Sequence, residues 1–207
     1  MKKPKNEVSQ FYKEYLIKMK NTVIPFMRLT ENMHYMESST GNLNMKWINL
    51  PSDNEFTTLN KLMIENNTQT SVQLQLLIHY RVNSKRSIPF VYYSPNNEAI
   101  MVCNSSMYYL IGGLGPLGGP TQYQTNEIDL ASSSTTDSNR SMYQPLSQES
   151  SAWGMVYDVL IEPNSIAHLY DWEIAHEQLY KLETIHEQYK ELLGNKVPKR
   201  VKLLKRS

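Results

Sequence analysis

From position 72 to 82, Val72, Leu74, Leu76, Ile78, Tyr80 and Val82 alternate with Gln73, Gln75, Leu77, His79 and Arg81. A period of two places the first set on one face of an extended chain. A strand of this length needs hydrogen-bonded neighbours and an apolar layer over its buried face, so an all-helical chain is excluded and an antiparallel sheet is expected. The apolar residues from Met45 to Leu50 also alternate, around Trp47, and Pro51 breaks the run. Ile88 to Tyr93 contains Pro89, which cannot donate to a ladder and belongs at a strand start or on an edge. Ala99 to Cys103 and Met107 to Ile111 read as one bulged strand or two short ones. Trp153, Met155, Tyr157, Val159 and Ile161 give a last strand before Pro163.

Three segments carry helical spacing. Val8, Tyr12, Tyr15, Leu16 and Met19 predict a short amphipathic helix with Lys13, Glu14, Lys18 and Lys20 on its surface. Ser52 with Glu55 forms a capping box opening a second helix, with Phe56, Leu59 and Met63 on one side and Asn66 and Asn67 at its end. The longest is capped by Asn164 or Ser165 and stops at Gly194, Asn195 and Pro198. Its stripe of Trp172, Ala175, Leu179, Leu182, His186, Tyr189 and Leu193 has two uses. Packing on the sheet of its own domain is favoured, since Ala175 and His186 interrupt the seam; self-association through Trp172, Leu179, Leu182, Tyr189 and Leu193 is the alternative.

The segment from Gly112 to Ser151 holds Gly112, Gly113, Gly115, Gly118 and Gly119, then a Ser/Thr/Asn/Gln-rich stretch, and reads as a long loop or disordered linker. The expected organisation is a basic arm and short helix over 1–25, a β-rich body over 26–163 with a loop over 112–151, a long amphipathic helix over 164–194, and a basic tail over 195–207. The class is α+β with a mainly antiparallel β body.

Chemistry-bearing motifs are sparse. His176, Glu177 and Tyr180 mimic the start of a zinc-hydrolase helix, but the second histidine is missing, and His168 and His186 sit at rotations of roughly 80° and 280° from His176 on an ideal helix. The glycines after position 112 lack the lysine of a phosphate loop, and no serine has the spacing of a nucleophile elbow. Cys103 excludes an internal disulfide and reads as inert packing in an apolar strand. No catalytic, cofactor-binding or metal residue is assigned, no cofactor is expected, and the chain reads as non-enzymatic.

Charge is local rather than global, because 21 Lys and Arg face 20 Asp and Glu. Lys196, Lys199, Arg200, Lys202, Lys205 and Arg206 crowd the carboxyl end. Residues 198–203, Pro-Lys-Arg-Val-Lys-Leu, resemble a nuclear import signal, so Lys199, Arg200, Lys202, Lys205 and Arg206 are expected to meet an import carrier or nucleic acid. Lys2, Lys3 and Lys5 form a weaker second cluster. No run of about 18 apolar residues exists, so no membrane partner or Sec-type signal is expected and the chain reads as soluble. The 14 Tyr and 11 Met against 4 Phe suit amphipathic interfaces as well as cores.

From Trp47 to Leu114 the order is strand, Pro51, Glu55-Phe56-Thr57-Thr58-Leu59, the long strand at Val72, Arg81, Arg86 and Phe90, then Asn97, Ala99, Asn104 and Gly113-Leu114. This third of the chain resembles the early part of the capsid proteins of densoviruses, the parvoviruses of invertebrates. The resemblance implies a jelly-roll or partial jelly-roll body, a self-assembling viral structural protein and homo-oligomer, contact with viral nucleic acid through the basic ends, and a place in the virion and in host nucleus and cytoplasm. A nuclear nucleic-acid-binding or regulatory adaptor, dimerised by its terminal helix, is the alternative.

Overall fold

In the computed structural model the described residues are 11–19, 22–29, 33–52, 56–83, 89–104, 107–126 and 143–194. They form fourteen strands and one helix: β1 Phe11–Met19, β2 Thr22–Leu29, β3 Tyr35–Thr40, β4 Leu43–Leu50, β5 Thr57–Asn66, β6 Val72–Val82, β7 Phe90–Ser94, β8 Ala99–Cys103, β9 Tyr108–Leu114, β10 Gln122–Gln124, β11 Tyr143–Gln144, β12 Leu146–Ser147, β13 Ala152–Ile161, β14 Ser165–His176 and α1 Leu179–Gly194. The strands make a six-stranded sheet, in the order β11-β10-β13-β6-β1-β2, and an eight-stranded sheet, β12-β7-β8-β9-β14-β5-β4-β3. All the long pairings are antiparallel, giving the α+β class with its mainly β body and carboxyl-terminal helix.

The two sheets meet over one apolar layer. Tyr15 and Ile17 of β1, Leu76 and Ile78 of β6, and Trp153, Met155 and Tyr157 of β13 face Met45 and Trp47 of β4, Leu62 and Ile64 of β5, and Leu169 of β14. The eight-stranded sheet is apolar on its other face too, where Leu59, Met101, Leu110, Trp172 and Ile174 take Leu182 and Leu193 of α1. The molecule therefore has three layers, and its middle sheet is covered on both sides where α1 packs on β9 and β14.

That double burial explains the sequence misreading of the largest element. A half-buried strand alternates visibly, but β14 buries Leu169, Tyr170, Asp171, Trp172 and Ile174 on opposite faces, and its pattern then imitates a helical stripe. The expected helix over 164–194 is thus a twelve-residue strand followed by the sixteen-residue α1. At the amino end the predicted helix is β1, paired with β6 in the register Lys13↔Tyr80 and Tyr15↔Ile78. Lys13, read as a surface cation, is buried. The capping-box helix is β5; its buried Asn60 and Asn66 hide an alternation otherwise carried by Leu62 and Ile64. Asn66 ends no helix but holds the crossover from β13 to β14, donating from Nδ2 to the carbonyls of Thr70, Ile161 and Glu162.

Other expectations meet the structure more closely. β6, β4 and β13 occupy the predicted runs, β7 starts just after Pro89, and β8 and β9 are two strands paired with each other. Within the expected loop over 112–151, β9 runs through Gly112 and Gly113, and β10, β11 and β12 follow. The glycines of β9 make room on both faces. A Cβ at Gly113 would lie 2.3 Å from the Tyr157 hydroxyl inside the sandwich, and one at Gly112 would lie 2.7 Å from Trp172 Nε1 on the helix side. Gly118, at φ 119°, takes a backbone that only glycine adopts readily, in a turn closed by reciprocal hydrogen bonds with Gly115.

Candidate functional site: a sealed charge cluster and an open aromatic row

Because side chains alternate along a strand, the inward positions of β14 after Leu169 are Asp171 and Glu173, two carboxylates aimed at the six-stranded sheet. Lys13 on β1 answers them. Its Nζ pairs with Asp171 Oδ1 and lies 2.9 Å from Glu173 Oε1. The other Asp171 oxygen accepts from the Tyr15 hydroxyl at 2.6 Å, and Oδ1 also accepts from Asn60 Nδ2 at 2.9 Å. The Tyr15 oxygen in turn accepts from Trp47 Nε1 at 3.0 Å, and Asn60 Oδ1 from Asn49 Nδ2 at 3.1 Å. Lys13 also lies 5.2 Å from the centre of the Tyr80 ring.

Burial by itself would lower the Lys13 pKa; Asp171 first, then Tyr15 and Glu173, overcome it and hold the ammonium well above its ordinary value. Burial, and then the charge of Asp171, push the Tyr15 and Tyr157 phenols well up. The cluster is consequently a protonated lysine, carboxylate acceptors and neutral phenols. Asp171 is fully buried, whereas Glu173 keeps about a fifth of its surface exposed. A nucleophile or general base needs a lone pair that substrate can reach, and Asp171 is fully buried with both oxygens engaged. Among the described residues no group of three His, Cys, Asp or Glu could hold a metal ion.

The opposite face of the eight-stranded sheet has a second polar contact, beneath α1. Trp172 Nε1 donates to His186 Nδ1 at 3.0 Å, which fixes the tautomer, and His186 Nε2 then donates to the Asn97 carbonyl at 2.6 Å. Burial lowers the His186 pKa, against a raising contribution from the Asn97 carbonyl. Tyr189 packs on Trp172 at 5.7 Å between ring centres.

Beyond the reach of α1, no element among the described residues covers the same face. Phe90 of β7, Cys103 of β8, Tyr108 of β9 and His176 of β14 are consecutive register partners. They share the face of Met101, Leu110 and Ile174, from which each is an even number of residues away. Phe56, whose carbonyl accepts from Ala175 N, sets its ring 6.4 Å from His176. Phe56, Phe90 and Tyr108 are 43%, 37% and 37% exposed. Burial raises the Cys103 thiol pKa, making it a poor nucleophile.

Of the residues singled out in the sequence, Trp172, Leu182, Tyr189 and Leu193 come together, with their contacts made inside the chain: Trp172 on β14 supports the three helical residues. Leu179 remains 39% exposed. Lys199, Arg200, Lys202, Lys205 and Arg206 lie outside the described residues, as do Lys2, Lys3 and Lys5. Sequence reading missed Lys13, Asp171, Glu173 and the aromatic row. Phe90 and Tyr108 acquire meaning only from the strand register, which pattern alone does not supply.

Comparison with protein families and with curated proteins finds no match. Solved structures do match in fold. They include a bacterial glucoamylase complexed with acarbose, at TM-score 0.57 and 12% identity over 89% of this chain and 30% of that one. A polysaccharide lyase matches at TM-score 0.51 and 10% identity, over 86% of this chain and 27% of that one. A protein described as a kojibiose phosphorylase from the human microbiome matches at TM-score 0.51 and 10% identity, over 87% and 25%. The chain thus spans less than a third of each of these proteins, and the likeness is one of fold.

Proposed function

We propose that this chain is a non-catalytic β-sandwich module that binds saccharide, of the kind that accompanies a catalytic unit in a larger polysaccharide-acting protein. The observation that carries the reading is the division of its side chains. Among the described residues, Lys13 with Asp171 and Glu173 is turned toward the core, its ammonium held by both carboxylates, while aromatic rings are displayed on a sheet face. Burying chemistry and exposing aromatic surface suits recognition better than turnover. The three fold neighbours support the saccharide part, because this architecture forms a quarter to a third of proteins whose names state that chemistry.

Affinity electrophoresis through gels containing neutral polysaccharides tests the reading, with reducing-end and unsaturated-product assays alongside. Retardation without product formation is expected. Mobility unchanged by every polysaccharide, or steady product formation, contradicts it.

A second reading, the self-assembling viral structural protein with a tail for import carriers or nucleic acid, draws on one feature. Strand β3 ends its sheet among the described residues and offers an edge for strand addition. Sedimentation across a concentration series separates the two, since assembly predicts particles much larger than a dimer.

A further inference from the structure

We infer that the outer face of the eight-stranded sheet binds an extended, uncharged glycan chain along the row Phe90 and Tyr108, with Phe56 beside its His176 end. The inference rests on the saccharide reading above and gives it a site and a ligand geometry.

Phe90 pairs with Cys103, Cys103 with Tyr108 and Tyr108 with His176, so the row runs across the strands rather than along them. Neighbouring strands lie about 4.8 Å apart, which places Phe90 and Tyr108, two strands from each other, roughly 10 Å apart. That spacing is close to the repeat of every second sugar in an extended glycan. Cys103 and His176 fill the positions between the aromatic residues. Such a floor can accept sugar rings by their apolar C–H faces while hydroxyls remain in water.

Charge narrows the ligand class. The row and the register line behind it, Tyr92, Met101, Leu110 and Ile174, contain no carboxylate, lysine or arginine. An anionic polysaccharide or nucleic acid would find no counter-charge in the row, whereas a neutral polyol loses nothing by this. His176 keeps its ring engaged, Nδ1 accepting from the Gln178 amide at 2.9 Å.

The test uses the full chain and gels containing hydroxyethyl cellulose, glycogen or laminarin, with alginate as the charged control. The expected result is retardation by at least one neutral polysaccharide and none by alginate. F90A, Y108A and F56A should each weaken it about three- to tenfold, and the triple variant should abolish it. Near-ultraviolet circular dichroism verifies folding; if the triple variant is unfolded, the three single variants decide. Retardation that persists in folded variants overturns this site while leaving the saccharide reading intact. An unretarded parent chain overturns both. Concentration-dependent self-association that the same substitutions abolish shows the row to be a protein interface and overturns the glycan assignment.

Discussion

Lys13 is the residue at which sequence and structure diverge most. Between Tyr12 and Glu14 it reads as a solvated cation, yet it is 6% exposed and held by two carboxylates more than 150 positions away. Nothing local announces this, because the partners converge only when β1 and β14 enter facing sheets. Removing one member of a buried pair leaves the other charge uncompensated, so Lys13→Met should cost about 3–5 kcal/mol in urea denaturation. Asp171→Asn should also destabilise. The two effects should fall short of additivity by about 1 kcal/mol or more, since the second substitution removes a charge already stranded by the first. Gly113 gives an independent check on the same layer. A methyl group there must displace the Tyr157 hydroxyl, so Gly113→Ala should cost roughly 1–3 kcal/mol despite its better strand propensity.

Elements that bury one face, or keep a simple alternation, were legible. β6 was read from end to end, and α1 stops where Gly194 predicts. β14 and β5 were not: β14 is buried on both faces and its Trp172 and Ala175 fall into helical spacing with Leu179 and Leu182 of α1, while β5 places asparagines in the interior. The docking of α1 makes a prediction at this scale. His186 is held neutral in the fold by burial and by the Trp172 donor, while the unfolded chain protonates near an ordinary pKa of about 6.5. Folded-state affinity for the proton is thus the lower. Stability from this contact is full above about pH 6.5 and declines as pH falls below it toward the depressed folded value. Lys190 opposes the proton and Glu187 and Glu98 favour it, without reversing the direction. Tryptophan fluorescence during urea denaturation should show a midpoint that drops between pH 6.5 and 5. His186→Gln, which can accept from Trp172 and donate to Asn97, should flatten that dependence.

For the whole molecule, the class was readable from the alternating runs at β4, β6 and β13 and from a carboxyl-terminal helix, but the three-layer arrangement was not. It depends on which strands share a sheet, and β14 between β9 and β5 is a placement no local pattern encodes. The aromatic row has the same origin: the consecutive strands β7, β8 and β9 and the distant β14, aligned by register. A helix-truncated chain ending at Gln178 should expose Trp172, Leu110 and Met101 together and aggregate at concentrations where the parent chain does not, as measured by light scattering.

On the proposed function, the chain recognises its ligand on the open sheet face while its charged cluster serves the fold. Amide chemical-shift mapping of the labelled chain during titration with neutral gluco-oligosaccharides tests this most directly. The predicted perturbations gather at Phe90, Cys103, Tyr108 and His176, with Lys13, Tyr15 and Asp171 unmoved. Shifts centred on Lys13, Asp171 and Glu173, or no shift at any oligosaccharide concentration, would contradict it.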